Sequence, residues 1–415
     1  MSGMAIGIDL GTTGVRAVLA DAHGAPVARG AAGIVPEQRR DPAAWWHAVT
    51  AALDELQAQA SLAGVRGLAV DGTSGTVLAI AADGTPLAPA QLYNDRADPT
   101  AVARIRQIGP ADTAAHGSTS PLARMLALQH IPGVARLLHE ADWIAGRLCG
   151  RFDSTDSNNA LKSGFDPRSG TWPAWIDVLG LKRALLPAVV APGIALAPLS
   201  PSIAARFGLP QTAIVVAGTT DGCASFLATG AGTEGDGVTA LGSTLTLKLL
   251  SPAPIFAPEY GIYSHLVRGA WLAGGASNAG AAVLARFFSP AQLAELSRQI
   301  DPARPSGCDF YPLLATGERF PVNDPALPPR LDPRPADDAA FLHGMLEGLA
   351  RIEALGYRRL AELGGPPLRR VLTVGGGAAN TTWTAIRARL LGVPVAEAAS
   401  TEAALGAALL ALRGS

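Results

Sequence analysis

Apolar and polar positions alternate from the first residues of the chain, which indicates short β-strands. The stretches MAIGIDL, VRAVLAD and APVARGAAG are separated by the turn sequences GTTG and HG, so we expect an antiparallel meander. Asp41 and Pro42 then begin a predicted helix. Apolar residues recur in this helix at helical spacing, at Trp45, Val49 and Leu53. VRGLAVDGTSG predicts a further strand, which runs into a polar loop.

A second set of the same features follows later in the chain. QTAIVVAGTTDGCASFLATG predicts a buried strand, a polar turn and a helix. After a glycine cluster at 230–237, GVTALGSTLTLKLLSPAP predicts another hairpin, whose turn at 242–244 corresponds to the turn at 11–13 of the first. A long amphipathic helix is expected near 338–363. RRVLTVGGGAAN then predicts a strand that ends in three glycines.

The repeated pattern predicts two similar α/β halves that face a cleft. We place the domain boundary in the glycine cluster, which gives an N-terminal domain of residues 1–233 and a C-terminal domain of residues 234–415. A chain of 415 residues is long enough for two or three domains.

Composition narrows the classes of partner. The formal net charge is −1, so the chain lacks the excess positive charge that would attract nucleic acid or an anionic membrane. The three cysteines are far apart in the sequence, which argues against a disulfide scaffold or a zinc site. No signal-peptide pattern is present, and the apolar runs are shorter than the roughly 20 residues of a membrane helix. We expect a soluble cytoplasmic protein, monomeric or homodimeric, with no nucleic-acid or membrane partner.

Three glycine-rich turns, at 11–14, 242–244 and 375–377, are candidates for binding phosphate. Backbone N–H groups at tight turns and helix N-termini hold phosphate well, and small residues permit its close approach. Neither the P-loop pattern nor a GxGxxG pattern after a strand is present. Each turn taken alone is equally compatible with an ordinary turn.

Two aspartates, Asp9 and Asp221, end apolar strands. Asp221 can cap the helix that follows it, and Asp9 can accept hydrogen bonds from its own turn. Phosphoryl transfer offers another role for each, because it needs Mg²⁺ to neutralise charge and a group that accepts the proton of the nucleophile. One carboxylate would then orient Mg²⁺ and the other would act as the base.

Two polar loops, VDGTSGTV and LYNDRAD, could bind a sugar-like acceptor. Thr73 and Ser74 offer hydroxyl groups, Asp95 an acceptor, and Arg96 a charged fork of donors. Asp95 and Arg96 are equally compatible with a solvated loop pair. The histidines show neither HxxxH nor HExxH spacing, so no transition-metal site is expected.

The stretch GIDLGTTGVRAVLAD resembles the N-terminal phosphate loop of the FGGY family of carbohydrate kinases, within the actin, hexokinase and heat-shock chaperone superfamily. The resemblance spans residues 5–412, because further stretches match in family order: LYNDRAD, STSPLARMLAL, DWIAGRLCGRFDSTDSNNALKSGFD, VAGTTDGCASFLATG, YPLLATGERFPVNDP, HGMLEGLARIEALG and TVGGGAANTTWTAIRARLLGVPV. It implies an α/β fold of two RNase-H-like domains flanking a cleft, with ATP and a sugar in the cleft.

The resemblance also implies roles for individual residues. Asp9 would lie near Mg²⁺ and the sugar, and Asp221 would be the catalytic base that deprotonates the sugar hydroxyl. With them, Thr73, Ser74 and Asp95 complete the expected sugar-binding set. The residues expected to bind the nucleotide are Gly11, Thr12, Thr13, Arg16, Gly242, Ser243, Thr244, Gly375, Gly376, Asn380 and Trp383.

The DGTSG loop and the Tyr-Asn-Asp motif are most similar to the short D-ribulose kinases of cyanobacteria and plant plastids. Xylulose kinases carry Gln and His in this loop, where the present chain has Thr73 and Gly75. A further departure is Arg124, at a position that is commonly lysine in the family.

We therefore expect an enzyme that uses ATP and Mg²⁺ to phosphorylate the terminal hydroxyl of a ketopentose, D-ribulose giving D-ribulose 5-phosphate. Two alternatives stay open. One is a kinase for another ketose or polyol, such as D-xylulose, ribitol or a glycerol-like compound. The other is a non-catalytic, ATP-dependent regulatory or binding protein on the same fold.

Overall fold

A computed structural model describes residues 3–414 of the chain. Within this range the chain divides into two compact units. The first unit comprises residues 3–228, 265–268 and 400–414, and the second comprises 229–264 and 269–399. Segments of the two units therefore alternate along the sequence. The domains expected from the sequence, 1–233 and 234–415, are each one continuous segment, and that assignment stays a prediction. No helix within residues 3–414 combines the length and the hydropathy needed to cross a membrane.

The first unit is built on a seven-stranded mixed sheet. The strands of the whole first unit, numbered in chain order, are β1 (Met4–Gly11), β2 (Gly14–Ala20), β3 (Pro26–Gly33), β4 (Val65–Gly72), β5 (Val77–Ile80), β6 (Arg136–His139), β7 (Ser154–Asp156), β8 (Ala188–Val190), β9 (Ala195–Pro198), β10 (Ile214–Val216) and β11 (Thr219–Thr220). The sheet order is β3-β2-β1-β4-β10-β9, with β11 also paired to β4. Strand β4 lies parallel to both β1 and β10, whereas the β1–β2, β2–β3 and β9–β10 pairs are antiparallel. Strands β5–β6 and β7–β8 form separate two-stranded sheets.

Eight helices accompany these strands in the part of the chain from residue 3 to residue 228. They are α1 (Pro42–Gln59), α2 (Pro99–Ile108), α3 (Pro121–Leu128), α4 (Glu140–Cys149), α5 (Ser157–Leu161), α6 (Trp175–Val178), α7 (Pro201–Phe207) and α8 (Asp221–Ala228). The predicted start of the first helix is confirmed, because the Asp41 side chain accepts a hydrogen bond from Ala43 N (2.9 Å) and Pro42 is the first helical residue. The predicted meander of β1, β2 and β3 is confirmed as well.

The second unit is built on a six-stranded mixed sheet of order β14-β15-β13-β12-β16-β17. The strands of this sheet are β12 (Asp236–Leu241), β13 (Leu245–Ser251), β14 (Tyr263–Val267), β15 (Ala270–Ala276), β16 (Arg370–Val374) and β17 (Val395–Glu397). Residues 265–267 of β14 are counted with the first unit. The helices of the second unit are α9 (Ala281–Ala285), α10 (Pro290–Ser297), α11 (Asp338–Glu362) and α12 (Thr381–Leu391). The long helix predicted near 338–363 is confirmed by α11, whose apolar face, including Phe341, Met345 and Leu349, is buried.

Both sheets repeat one pairing pattern. In each, an antiparallel hairpin (β1–β2 or β12–β13) has a first strand that also pairs in parallel with a later strand, β4 or β16. The turn of each hairpin and the end of each parallel partner strand therefore lie at the same edge of the sheet. The prediction of two similar α/β halves is confirmed.

Alternation along β1 and β4 assigns their side chains to two faces of the first sheet. One face carries Ile6, Ile8 and Leu10, which pack with Trp45 of α1 into the larger core. The opposite face carries small residues such as Ala5, which pack against α13 (Ala403–Gly414). Asp9 and Asp71 alternate with residues of the first face, so they lie on the second face, where α8 and α13 also pack.

Candidate functional site

Two carboxylates stand side by side where β1 and β4 end. Asp9 and Asp71 are register partners in the parallel β1–β4 pair. Asp9 also lies opposite Arg16 in the β1–β2 hairpin, and Arg16 Nη1 is 3.4 Å from Asp9 Oδ2. Since ligands of α/β sheets bind at the carboxyl ends of the parallel strands, this edge is where a site is expected.

A cavity of about 560 Å³ opens at this edge within the first unit. The predicted site residues that line it are Asp9, Gly11, Thr12, Thr13, Arg16, Thr73 and Asp221. Five lining residues were not predicted: Tyr93, Ser225, Thr401, Glu402 and Ala403. The fold thus brings the hairpin turn, the polar loop after β4 and the first residue of α8 around one space.

Burial sets the ionisation of the two strand-end aspartates. It raises the pKa of Asp9, although the hydrogen bond with Asp71 and the charge of Arg16 act in the opposite direction, and the charge of Asp221 raises that pKa further. Asp71 is fully buried, and burial together with the charge of Asp9 raises its pKa well above the usual range. No donor within residues 3–414 reaches either carboxylate oxygen of Asp71. A hydrogen bond between the two carboxyl groups requires a proton on one of them, and the complete burial of Asp71 favours the proton there. The pair is thus arranged to share a proton or a cation.

Asp221 is the first residue of α8, directly after the short strand β11. Its Oδ1 atom accepts a hydrogen bond from Gly222 N (2.6 Å). Strand β11 pairs with β4 so that Thr219 is the register partner of Asp71. This pairing carries the Asp221 carboxyl to the cavity wall, near enough to Asp9 for their charges to repel.

Glu140, the first residue of α4, hydrogen-bonds to the loop after β4 and fixes its position. Glu140 Oε1 accepts hydrogen bonds from both Thr73 N and Thr73 Oγ1, at 2.5 Å each. Thr73 Oγ1 is also 2.7 Å from Thr76 Oγ1, which accepts from Tyr93 N (3.0 Å). Burial raises the pKa of Glu140 to about 8, although the hydrogen bonds from Thr73 act against this. The Glu140 carboxyl is therefore mostly protonated at neutral pH.

A side cavity of about 20 Å³, room for one water-sized group, adjoins the larger one. The residues shared by the two cavities are Gly11, Thr12, Thr73 and Tyr93. The remaining residues of the side cavity are Ile34, Arg39, Trp45, Thr76, Leu92 and Glu140. Glu140 was missed by sequence reasoning because it follows Thr73 by 67 positions, and nothing local in the sequence connects it to the polar loop. Tyr93 had one available signal, since it lies in the LYNDRAD loop already singled out.

Ser74 and Asp95, both predicted to bind sugar, line neither cavity. Ser74 Oγ is buried and has no hydrogen-bond partner within residues 3–414. The carboxylate of Asp95 forms a bidentate ion pair with Arg40, at 2.5 Å and 2.7 Å, and accepts from Leu92 N (2.8 Å). These hydrogen bonds from Arg40 lower the pKa of Asp95. A sugar-binding role for Ser74 and Asp95 stays a prediction.

The second unit has a cavity of its own, of about 390 Å³. Gly376, Asn380 and Trp383 from the predicted nucleotide set line it, together with apolar residues of α9 and α10 such as Leu284 and Leu293. Asn380 Oδ1 caps α12 by accepting from Trp383 N (2.9 Å), and Asn380 Nδ2 donates to Ser297 Oγ (2.9 Å). A largely apolar space beside an aromatic ring and a capped helix start suits a nucleobase with its sugar.

The remaining predicted nucleotide residues lie in turns of the second unit. Gly375 directly follows β16 with a φ of 87°, and a Cβ there would lie 2.8 Å from Leu241 O, so only glycine fits. Gly242, Ser243 and Thr244 connect β12 to β13 and do not line the cavity. Gly242 O accepts from Ala281 N (2.9 Å), which ties this turn to the start of α9.

A magnesium ion would have few protein ligands here. No group of three or more His, Cys, Asp or Glu side chains within residues 3–414 could hold a metal ion. Mg²⁺ in phosphoryl-transfer sites needs only one or two carboxylates, with waters and substrate phosphates completing its shell. Asp9 fits that requirement, and beside it lies the Asp71 carboxylate, which accepts no hydrogen bond within residues 3–414.

Comparison with known proteins agrees with this geometry. A xylulose kinase from Escherichia coli (strain K12) is 27% identical over 444 aligned positions, which cover 98% of this chain and 89% of the relative. A xylulose kinase from Klebsiella pneumoniae is 28% identical over 350 positions, covering 78% of this chain and 71% of the relative. The crystal structure of a "xyloylose kinase" from Brucella ovis matches with a TM-score of 0.84 at 25% identity, covering 99% of this chain and 90% of that one.

Family models match nearly the whole chain. The N-terminal domain of the FGGY family of carbohydrate kinases matches residues 4–228, and the C-terminal domain of the same family matches residues 233–415. The predicted fold class is confirmed as the two-domain, actin- and hexokinase-like α/β fold of this family. The chain therefore belongs to the FGGY family of carbohydrate kinases and is an ATP-dependent sugar kinase.

Proposed function

We propose that this kinase phosphorylates the terminal hydroxyl of a ketopentose, with D-ribulose as the first candidate and D-ribulose 5-phosphate as its product. One observation carries the proposal: Asp9, Asp221 and the hydroxyl-bearing loop after β4 line a single cavity of the first unit. A sugar substrate needs polar groups around it, and this cavity supplies carboxylates and threonine hydroxyls together.

In the proposed reaction, Asp221 is the general base. Its carboxylate accepts the proton of the terminal hydroxyl while that oxygen forms a bond to the γ-phosphorus of ATP. The bond between the γ-phosphorus and the oxygen bridging to the β-phosphate breaks, and ADP leaves with the electron pair. Asp221 then releases its proton to solvent. A positioned base of this kind contributes about 10²–10⁴-fold to the rate.

Asp9 would hold Mg²⁺, with the buried Asp71 carboxyl beside it adding negative charge, and the ion would neutralise the phosphate charge that develops during transfer. Arg16, whose guanidinium lies 3.4 Å from Asp9, orients that carboxylate. Thr12 and Thr13 form the exposed tip of the β1–β2 hairpin and would approach the phosphates. We assign the adenosine of ATP to the cavity of the second unit, beside Asn380 and Trp383.

D-xylulose is the second candidate substrate. The curated relatives from Escherichia coli and Klebsiella pneumoniae are xylulose kinases, which supports it. The loop after β4 favours D-ribulose instead, because Thr73 and Gly75 stand where xylulose kinases carry Gln and His. One exchanged hydrogen bond in a sugar pocket can redirect specificity. A cytoplasmic location is part of the same proposal.

An assay coupled to ADP production, run over D-ribulose, D-xylulose, ribitol and glycerol with Mg²⁺ and ATP, tests the proposal. We expect D-ribulose to give the highest kcat/KM. A higher value for D-xylulose would select the second candidate, and turnover of ribitol or glycerol alone would overturn the assignment to ketopentoses.

A further inference from the structure

Arg124 of α3 has a buried guanidinium that binds backbone rather than a carboxylate. Its side chain is only 3% exposed, and no carboxylate within residues 3–414 forms an ion pair with it. Its donors reach five backbone carbonyls: Nη2 reaches Gly75 O (2.8 Å) and Thr119 O (2.9 Å), Nη1 reaches Gln91 O (3.0 Å) and Leu92 O, and Nε reaches Ser120 O (3.4 Å).

These carbonyls belong to three separate segments. Gly75 lies in the loop after β4, Leu92 begins the LYNDRAD loop with Gln91 directly before it, and Thr119 precedes α3. The first two segments are those that supply Thr73 and Tyr93 to the larger cavity. Arg124 thus joins the two loops to each other at a point behind the cavity wall.

Arginine suits this place for two reasons. A guanidinium presents five donors in a rigid plane, whereas a lysine ammonium has three donors and no fixed fork. Burial lowers the pKa of Arg124 to about 10, so the group keeps its charge at neutral pH. Hydrogen bonds from a charged donor are stronger than those between neutral groups, and truncating Arg124 would remove such bonds from the Gly75 and Thr119 carbonyls.

The loop after β4 is held at two points. Glu140 binds the side chain and backbone N–H of Thr73, and Arg124 binds the carbonyl of Gly75. Gly75 has a φ of +109°, a conformation that residues other than glycine rarely adopt, so this turn of the loop requires glycine.

We propose that Arg124 is a positioning residue for the sugar: by clamping residues 73–76 and 91–93 together, it preforms the wall of the sugar cavity. Sugar binding depends on this clamp, whereas nucleotide binding in the second unit does not. The inference rests on the proposed function for the identity of the ligand. The hold of Arg124 on the two loops can be measured in the protein without any ligand.

The test compares Arg124→Lys and Arg124→Gln with Arg136→Lys. Arg136 is the matched control, because it also donates to backbone carbonyls, but these belong to Ala135 (2.7 Å) and Ala184 (3.1 Å), outside both loops. For each full-length variant, hydrogen–deuterium exchange is measured without ligand in peptides covering 73–76 and 91–95. KM for the accepted sugar, KM for ATP and kcat are measured alongside.

Both Arg124 variants are expected to exchange faster in both loops and to raise KM for the sugar about tenfold or more, with KM for ATP within about twofold of the wild type. Arg136→Lys is expected to change none of these. Unchanged exchange in both loops would overturn the proposal, and so would a lowered melting temperature with an unchanged KM for the sugar. If the wild type phosphorylated no sugar of the panel, the proposed function would fail, and the exchange data would still decide the clamp.

Discussion

Asp9 and Asp71 are partners in register on the parallel strands β1 and β4, so two carboxylates leave the sheet together on the face covered by α8 and α13. Burial raises the pKa of both carboxyl groups, and in the described part of the chain no donor reaches the carboxylate oxygens of Asp71. Two buried acids held this close are stabilised by a positive charge between them.

We expect Asp71→Asn to weaken Mn²⁺ binding in the presence of ADP by about 10- to 100-fold, because one of the two carboxylates that attract the ion is lost. Electron paramagnetic resonance of free Mn²⁺ measures this directly. Asp54→Asn is the control, since Asp54 forms an exposed surface ion pair with Arg206 (3.1 Å). Equal Mn²⁺ affinity in wild type and Asp71→Asn would show that Asp71 takes no part in binding the ion.

Asp221→Asn should lower kcat by about 10²–10⁴-fold, because an amide cannot accept the proton of the sugar hydroxyl. Nucleotide binding in the second unit should stay at the wild-type level, as measured by calorimetry with ADP. Asp177→Asn, which removes an exposed carboxylate paired with Arg183, controls for the loss of one negative charge. A kcat within a few-fold of the wild type would remove Asp221 from the role of base.

Asp9 and Asp221 illustrate what the sequence could predict. Alternation within β1 and the strand–turn–helix pattern before Asp221 are local signals, so Asp9 and Asp221 were both identified from them. The same reasoning located the two hairpins and the long helix α11. Each of these features depends on a short stretch of chain, in which periodicity directly reflects which side is buried.

Glu140, Asp71 and Arg124 show why the rest was not predicted. Each acts through partners that tertiary packing brings near, as when Glu140 meets Thr73 across 67 positions of sequence. Asp95 shows the reverse case, because a polar loop residue that looked suited to a sugar has its carboxylate held by Arg40, 55 positions away. Spacing and composition carry no signal for such pairs.

Glu140→Gln should make stability less dependent on pH. The pKa of Glu140 is about 8 in the folded protein and near 4.5 for an unperturbed glutamate, so the folded state binds the proton more tightly. The wild type therefore loses stability as pH rises from about 4.5 to 8, by at most about 1.4 kcal/mol per pH unit from this group. Glutamine keeps an acceptor for Thr73 and cannot ionise.

The free energy of unfolding, measured by denaturant titration at pH 5.5 and pH 8, provides the readout. We expect the difference between Glu140→Gln and the wild type to grow in favour of the variant as pH rises. A difference that stayed constant, or that changed in favour of the wild type, would contradict the raised pKa.

Asp95→Asn and Arg40→Met should have equal effects on KM for the sugar, because both Asp95 oxygens are held by Arg40. The double variant should be no worse than either single variant, and the cost in stability should be about 0–1 kcal/mol for such a partly exposed pair. A KM that rose far more for Asp95→Asn than for Arg40→Met would instead indicate direct contact between Asp95 and the sugar.

Helix α13 (Ala403–Gly414) belongs to the first unit, although residues 229–399 lie between it and residues 3–228 in the sequence. It covers small apolar side chains on β1, β4 and β10, including Ala5, Ala69 and Val216. During synthesis, the ribosome must translate the whole second unit before this helix emerges. The face of the first sheet formed by β1, β4 and β10 therefore stays uncovered in the nascent chain until its last residues have been made.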